Sequence, residues 1–153
     1  MSQDRDQGRL PVLEFDGNKE RTIAENIYHA QQAGWPKILT YDHEKDHNIR
    51  KQQAAWKRNE AMNTPGEEVP AISSQKLHRD EYPFACTKEH NGSAWIGHAV
   101  AAENRSQGGQ LRNFLEKHGA IQGATNSLEV SKDGRSEKVF KFIVEVKNWP
   151  PKP

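Results

Sequence analysis

Apolar residues in this chain come in short groups of clear period, separated by long polar stretches. Leu10 to Phe15 predicts a short strand, which Pro11 confines to a sheet edge. Asp16-Gly17-Asn18 predicts a turn. From Thr22 the period changes. Ile23, Ile27 and Ala30 recur at helical spacing, Thr22-Ile23-Ala24-Glu25 has the form of a capping box, and Gly34 and Pro36 supply a stop. The pattern therefore predicts a helix over 22–33, then a strand from Lys37 to Tyr41. Asp42 to Met62 is charged, with Ile49, Ala54 and Trp56 as a thin apolar stripe, and predicts a largely exposed helix. Asn63 to Ser74, with Pro65, Gly66 and Pro70, predicts a loop.

The second half reads as strand, strand, helix, hairpin. His78 to Cys86 predicts a strand interrupted by Pro83, Glu89 to Ser93 a turn, and Ala94 to Ala102 a second strand. A helix follows from Ser106 to Lys117, with Leu111, Phe114 and Leu115 as its apolar face and Gly119 at its end. Leu128 to Ser131 and Val139 to Val146 flank Lys132-Asp133-Gly134-Arg135, and Asp-Gly is a hairpin signal. Phe140, Phe142 (or Ile143) and Val144 mark one face of the last strand. There is no internal repeat. The chain divides into a polar segment over 1–21, one α+β domain over 22–149 and a Pro-rich tail over 150–153.

Composition narrows the function. Only 33% of the 153 residues are hydrophobic, so the core is expected to be small. The net charge of +1 gives no global positive field, so a nucleic-acid partner would be held by a local patch or a metal. The single cysteine, Cys86, excludes an intrachain disulfide and reads as a small buried hydrophobe rather than a catalytic thiol. No apolar run is long enough to span a membrane, and the charged start Met-Ser-Gln-Asp-Arg-Asp predicts no signal peptide.

Two patches look like neither core nor linker: His78-Arg79-Asp80-Glu81-Tyr82-Pro83-Phe84-Ala85, and Glu103-Asn104-Arg105-Ser106-Gln107-Gly108-Gly109-Gln110-Leu111-Arg112-Asn113. They lie on a predicted ββα unit, a compact way to hold one divalent cation. A base on the first strand would activate water while a ligand comes from the second strand's end or the helix. A helix N-terminus near Ser106 would favour phosphate.

Together with Ala24-Glu25-Asn26-Ile27-Tyr28-His29-Ala30-Gln31-Gln32-Ala33-Gly34-Trp35-Pro36-Lys37-Ile38-Leu39-Thr40, these segments resemble the NucA/NucB deoxyribonuclease family over roughly residues 22–147. The resemblance implies a ββα-metal fold with a small antiparallel sheet and flanking helices. It implies a DNA endonuclease of little sequence preference using one Mg²⁺ or Mn²⁺; the sequence marks no 2′-OH reader that would separate RNA from DNA. The family includes secreted nucleases and toxin domains of larger bacterial proteins. Two settings are therefore open, with no membrane involvement: the toxic end of a larger delivered protein, which would have a cognate immunity partner, or a secreted nuclease that scavenges extracellular DNA.

Mapped onto this sequence, Asp80 stands where the family has a carboxylate base, ionised at neutral pH with a pKa near its ordinary value of about 4. Its bland alternative is a surface Asp paired with Arg79. His78, on the same strand face, is either the base or a cation for phosphate. Glu81 is either catalytic or a structural acceptor for backbone or Arg105. A hard cation wants oxygen, so Glu103, Asn104 and Asn113 are the candidate ligands. Gln107 and Gln110 would reach the ion through water or touch the scissile phosphate. Arg79 and Arg105 read as phosphate clamps or as ordinary surface ion pairs. Gly108 and Gly109 either let the backbone approach phosphate or turn the chain into the helix. Tyr82 and Phe84 read as core.

Two rivals stand beside this reading. His43-Glu44-Lys45-Asp46-His47 has the zinc-protease spacing H-E-x-x-H, with Glu44 as base. Its charged interior and polar flanks fit a solvated first helical turn better. The other rival is a non-catalytic binding module that keeps the fold, and DNA binding without cleavage would mark it.

Overall fold

The computed structural model describes residues 10–59 and 77–151. The loop expected over 63–74 and the segment 1–9 lie outside the described residues. The elements run β1 (Val12–Asp16), α1 (Arg21–Gln32), β2 (Ile38–Tyr41), α2 (His43–Asn59), β3 (Leu77–Tyr82), β4 (Trp95–Val100), α3 (Ala101–Lys117), β5 (Ser127–Val130) and β6 (Ser136–Lys147).

The long strand β6 organises one sheet. It lies between β1 and β2 and also pairs with β5. Sheet order confirms β1 as an edge strand, but β1 runs parallel to β6, so this sheet is mixed rather than antiparallel. The Asp-Gly hairpin forms as expected, with Gly134 at φ 83° in its turn. A separate antiparallel pair, β3 with β4, leads straight into α3 and makes the ββα unit.

α1 packs between the two sheets because its apolar stripe is buried all along. Ile23, Ala24, Ile27 and Ala30 are inaccessible to solvent, and Ile23, Ile27 and Ala30 join Leu13 and Phe15 of β1, Leu39 of β2 and Phe142 and Val144 of β6 in one core. The folded body thus takes in β1, ahead of the 22–149 unit expected from the pattern. Tyr82, Phe84 and Cys86 are core, as expected, and burial pushes the Cys86 thiol up to about 12, which excludes a thiolate nucleophile at neutral pH.

Three boundaries differ from the sequence pattern. β3 stops at Tyr82 instead of running to Cys86, because Pro83 has no N–H for the ladder. The chain then turns onto β2, where Asp42 N donates to Cys86 O at 2.9 Å and Lys88 N to Thr40 O at 2.9 Å. α3 starts at Ala101, five residues before Ser106, because Ala101, Ala102 and Glu103 extend it toward β4. Its N-terminus is therefore not at Ser106, and Gly108 and Gly109 sit inside the helix rather than turning the chain into it. Finally, Thr22 is not the cap of α1 but lies within its first turn.

A candidate active site in the ββα unit

Asp80 is the organising group. It sits in β3 opposite Gly97 of β4 and is only 4% exposed, between exposed Arg79 and half-buried Glu81. The Nδ2 of Asn26, on α1, donates to Asp80 Oδ2 at 3.0 Å and to the His98 carbonyl at 2.9 Å. Burial raises the Asp80 pKa to about 6, against the stabilising Asn26 hydrogen bond, with the Glu81 charge adding to the rise. The expectation of an ordinary carboxylate pKa is corrected accordingly. The surface pairing with Arg79 is absent, since Asp80 is buried and Arg79 binds Glu81 instead.

The geometry of α3 sorts the second patch. At about 100° per residue, positions 104, 107, 108, 111 and 115 share one helical face. Asn104, Gln107, Gly108, Leu111 and Leu115 accordingly line a cavity of about 510 Å³ with Asp80. Asn113 is roughly half a turn away from Asn104, and it is exposed outside this cavity. Arg105 is exposed and also outside it. Glu103 and Gln110 share a third face, toward the start of α1. Gln110 Nε2 donates to Glu20 Oε2 at 2.5 Å.

Glu103 Oε1 accepts from Thr22 N at 2.8 Å, from Thr22 Oγ1 at 2.6 Å and from Ile23 N at 3.4 Å. In return Thr22 Oγ1 accepts from Val100 N at 3.1 Å, at the entry to α3. The two helix N-termini are capped reciprocally, as a capping box does within one helix. Glu103→Ala is expected to cost about 1–2 kcal/mol, the scale of a lost cap, measured by denaturant unfolding.

The rest of the cavity wall comes from α2 and the turn after β3. Asp46, Ile49 and Arg50 of α2 face it at helical spacing, with Phe84, Ala85 and Cys86 opposite. Arg112 Nη1 lies 3.4 Å from Asp46 Oδ2, which also accepts from Tyr41 Oη at 2.5 Å. Glu81 is held by Arg79 Nε at 3.0 Å and His90 Nε2 at 2.7 Å, so its acceptor role is filled by these two rather than by Arg105. Arg50, Arg79 and Arg112 thus line the cavity as well, and Arg50 has no ion pair among the described residues.

Of the residues singled out from sequence, Arg79, Asp80, Glu81, Asn104 and Gln107 meet in this cavity, while His78, Glu103, Arg105, Gln110 and Asn113 do not line it. Sequence reasoning missed Asn26, Asp46, Arg50, His90 and Arg112. The signal for Asn26 was present: it is the polar member of the apolar stripe Ile23, Ile27 and Ala30. His43 and His47 are exposed on the first turns of α2, and the His43 ring bonds the Ile121 carbonyl at 3.1 Å. Among the described residues no group of three His, Cys, Asp or Glu side chains is placed to hold a metal. That leaves the zinc-protease spacing without a third ligand.

The lining does carry the carboxylates of Asp46, Asp80 and Glu81 and the amides of Asn104 and Gln107, the oxygen-donor types that a largely hydrated hard cation takes. Gln107 is buried beside Asp80; its Nε2 meets no acceptor at hydrogen-bond geometry among the described residues, while its amide still lowers the Asp80 pKa against the rise from burial.

The ββα unit thus holds a buried carboxylate in a cavity that three arginines also line. The model of the family Deoxyribonuclease NucA/NucB matches residues 27–127, and the chain belongs to that family. No curated protein matches it. The family makes the protein a DNA-cleaving hydrolase. No helix among the described residues is long and apolar enough to cross a membrane.

Proposed function

We propose that the chain hydrolyses DNA phosphodiesters in the Asp80 cavity, with Asp80 as general base. The observation that carries this is a buried carboxylate, held by Asn26, lining one cavity with Arg50, Arg79 and Arg112. With its pKa at about 6, Asp80 is mostly ionised at pH 7 and above, yet basic enough to take a proton from water. Arg79, fixed by Glu81, and Arg50 bind phosphate oxygens and orient the backbone. Gln107, buried beside Asp80, helps to keep that carboxyl ionised. Such contacts touch no base edge, so cleavage is of low sequence preference, and RNA is a possible second substrate.

Asn104, the one candidate ligand that lines the cavity, would hold a single Mg²⁺ or Mn²⁺. Such an ion, when bound, supplies charge stabilisation for the leaving oxygen and lowers the pKa of water. Plasmid nicking by the purified protein tests this. Activity is expected with Mg²⁺ or Mn²⁺ and none with EDTA. Cleavage undiminished by EDTA would remove the metal, and retained DNA binding without cleavage under any metal would leave a binding module.

The resemblance to toxin-borne family members supports a wider reading: the domain is secreted or delivered to a target cell within a larger bacterial protein, with a dedicated immunity protein as its partner.

A further inference from the structure

Asn26 and Gly97 stand outside every role described so far except the contact with Asp80. Asn26 is the polar position in the core stripe of α1, and its Nδ2 has two protons. Both are used: one on Asp80 Oδ2 at 3.0 Å, the other on the His98 carbonyl at 2.9 Å. One amide thereby ties α1 to both strands of the β3–β4 pair. The third component is an absence of side chain. A Cβ at Gly97, directly opposite Asp80 in the ladder, would lie 2.4 Å from Asn26 Oδ1 and 2.7 Å from its Cγ. Neither distance is tolerated by real side chains, so only glycine leaves room for the amide.

We propose that Asn26, seated in the space that Gly97 leaves, is the positioning residue that fixes the Asp80 carboxylate for proton abstraction. Asn26 touches neither substrate nor water in this role; it holds one Asp80 oxygen so that the carboxylate keeps a single orientation. The proposal rests on Asp80 being the base. Its geometry predicts a particular non-additivity, because Asn26 and Gly97 serve one contact.

The test is a cycle of Asn26→Ala, Gly97→Ala and the double variant, with kcat and KM for a duplex oligonucleotide, thermal unfolding of each, and a crystal structure of Asn26→Ala. Asn26→Ala is expected to lower kcat on the order of 10- to 100-fold with KM unchanged, the scale of a misplaced catalytic group. Gly97→Ala is expected to give the same loss by displacing the amide, and the double variant should be no slower than Asn26→Ala alone. The Asp80 carboxylate should have turned in the Asn26→Ala structure. Should Asn26→Ala not fold, Asn26→Asp keeps the shape, removes the donor and carries the same expectation for kcat. Folded variants with wild-type kcat and an unmoved Asp80 would overturn the proposal, as would losses that multiply in the double variant. Asp80→Asn separates the two readings. Wild-type cleavage by Asp80→Asn, with Asp80 turned in the Asn26→Ala structure, would sink the base and leave the positioning contact standing.

Discussion

Asp80→Asn is expected to cut DNA at least 100-fold more slowly than the wild type while unfolding at a higher temperature at pH 8. The loss follows from removing the general base, whose contribution is on the order of 10²- to 10⁴-fold. The gain follows from burial. The carboxyl titrates at about 6 in the folded protein, above its ordinary 3.8. A raised carboxyl pKa means that the folded state binds the proton more tightly than the unfolded chain. Stability from this group is therefore fully present below about pH 4 and is lost as the pH rises through about 6. Ionised Asp80 then costs the fold about 3 kcal/mol at neutral pH, an order-of-magnitude figure that the neutral amide avoids. The same titration sets the acid limb of the reaction: cleavage should fall as the pH drops through about 6 and persist above it. Plasmid nicking across pH 5 to 9, beside thermal melts of both proteins, reads both effects. An Asp80→Asn protein that cuts normally would remove Asp80 as base, and one that melts lower at pH 8 would contradict the burial cost.

The largest loss of stability is expected from Phe142→Ala, about 3–5 kcal/mol, the range for a fully buried aromatic side chain. Phe142 lies on β6, where Leu39 of β2 is its ladder partner, and its ring meets Phe114 of α3 at 5.5 Å and Phe140 at 6.2 Å between centroids. One truncation thus loosens the sheet and the packing of the site helix together. A domain of this size has about 5–15 kcal/mol of stability in all, so the variant should sit near its folding threshold. Urea unfolding of the two proteins measures it. A midpoint shift worth under 1 kcal/mol would show that the cavity collapses at little cost.

The fold was legible where period and burial coincide. Ile23, Ile27 and Ala30 marked α1 correctly, and Asp133-Gly134 marked the β5–β6 turn, because each signal is local. The parallel pairing of β1 with β6 was not legible, since partners 131 residues apart leave no mark on either segment. Within the site, the two polar patches around Asp80 and around Asn104 and Gln107 stood out by their density of charged and amide groups, and the role of Asp80 came from the family resemblance. Placing the helix start at Ser106 instead of Ala101 obscured which face each polar residue occupies, so Glu103 and Asn113 stood beside Asn104 as equal candidate ligands. Thr22 had the right chemistry for a cap and the wrong partner: the acceptor arrived from Glu103, 81 residues away. Long-range hydrogen bonds of this kind are invisible to any local pattern.

β6 has a bearing on how the chain comes into being. β1, β2 and β5 all precede it in the sequence, and each pairs with it. During translation, none of these three strands has its partner until the ribosome has passed Ser136, and β1 must wait for Val12 to meet Ile143. Almost the whole site is synthesised by then, yet α1, which carries Asn26, has no complete sheet to pack on. Completion of the sheet, and with it the packing of α1 against β6, therefore waits for the synthesis of β6.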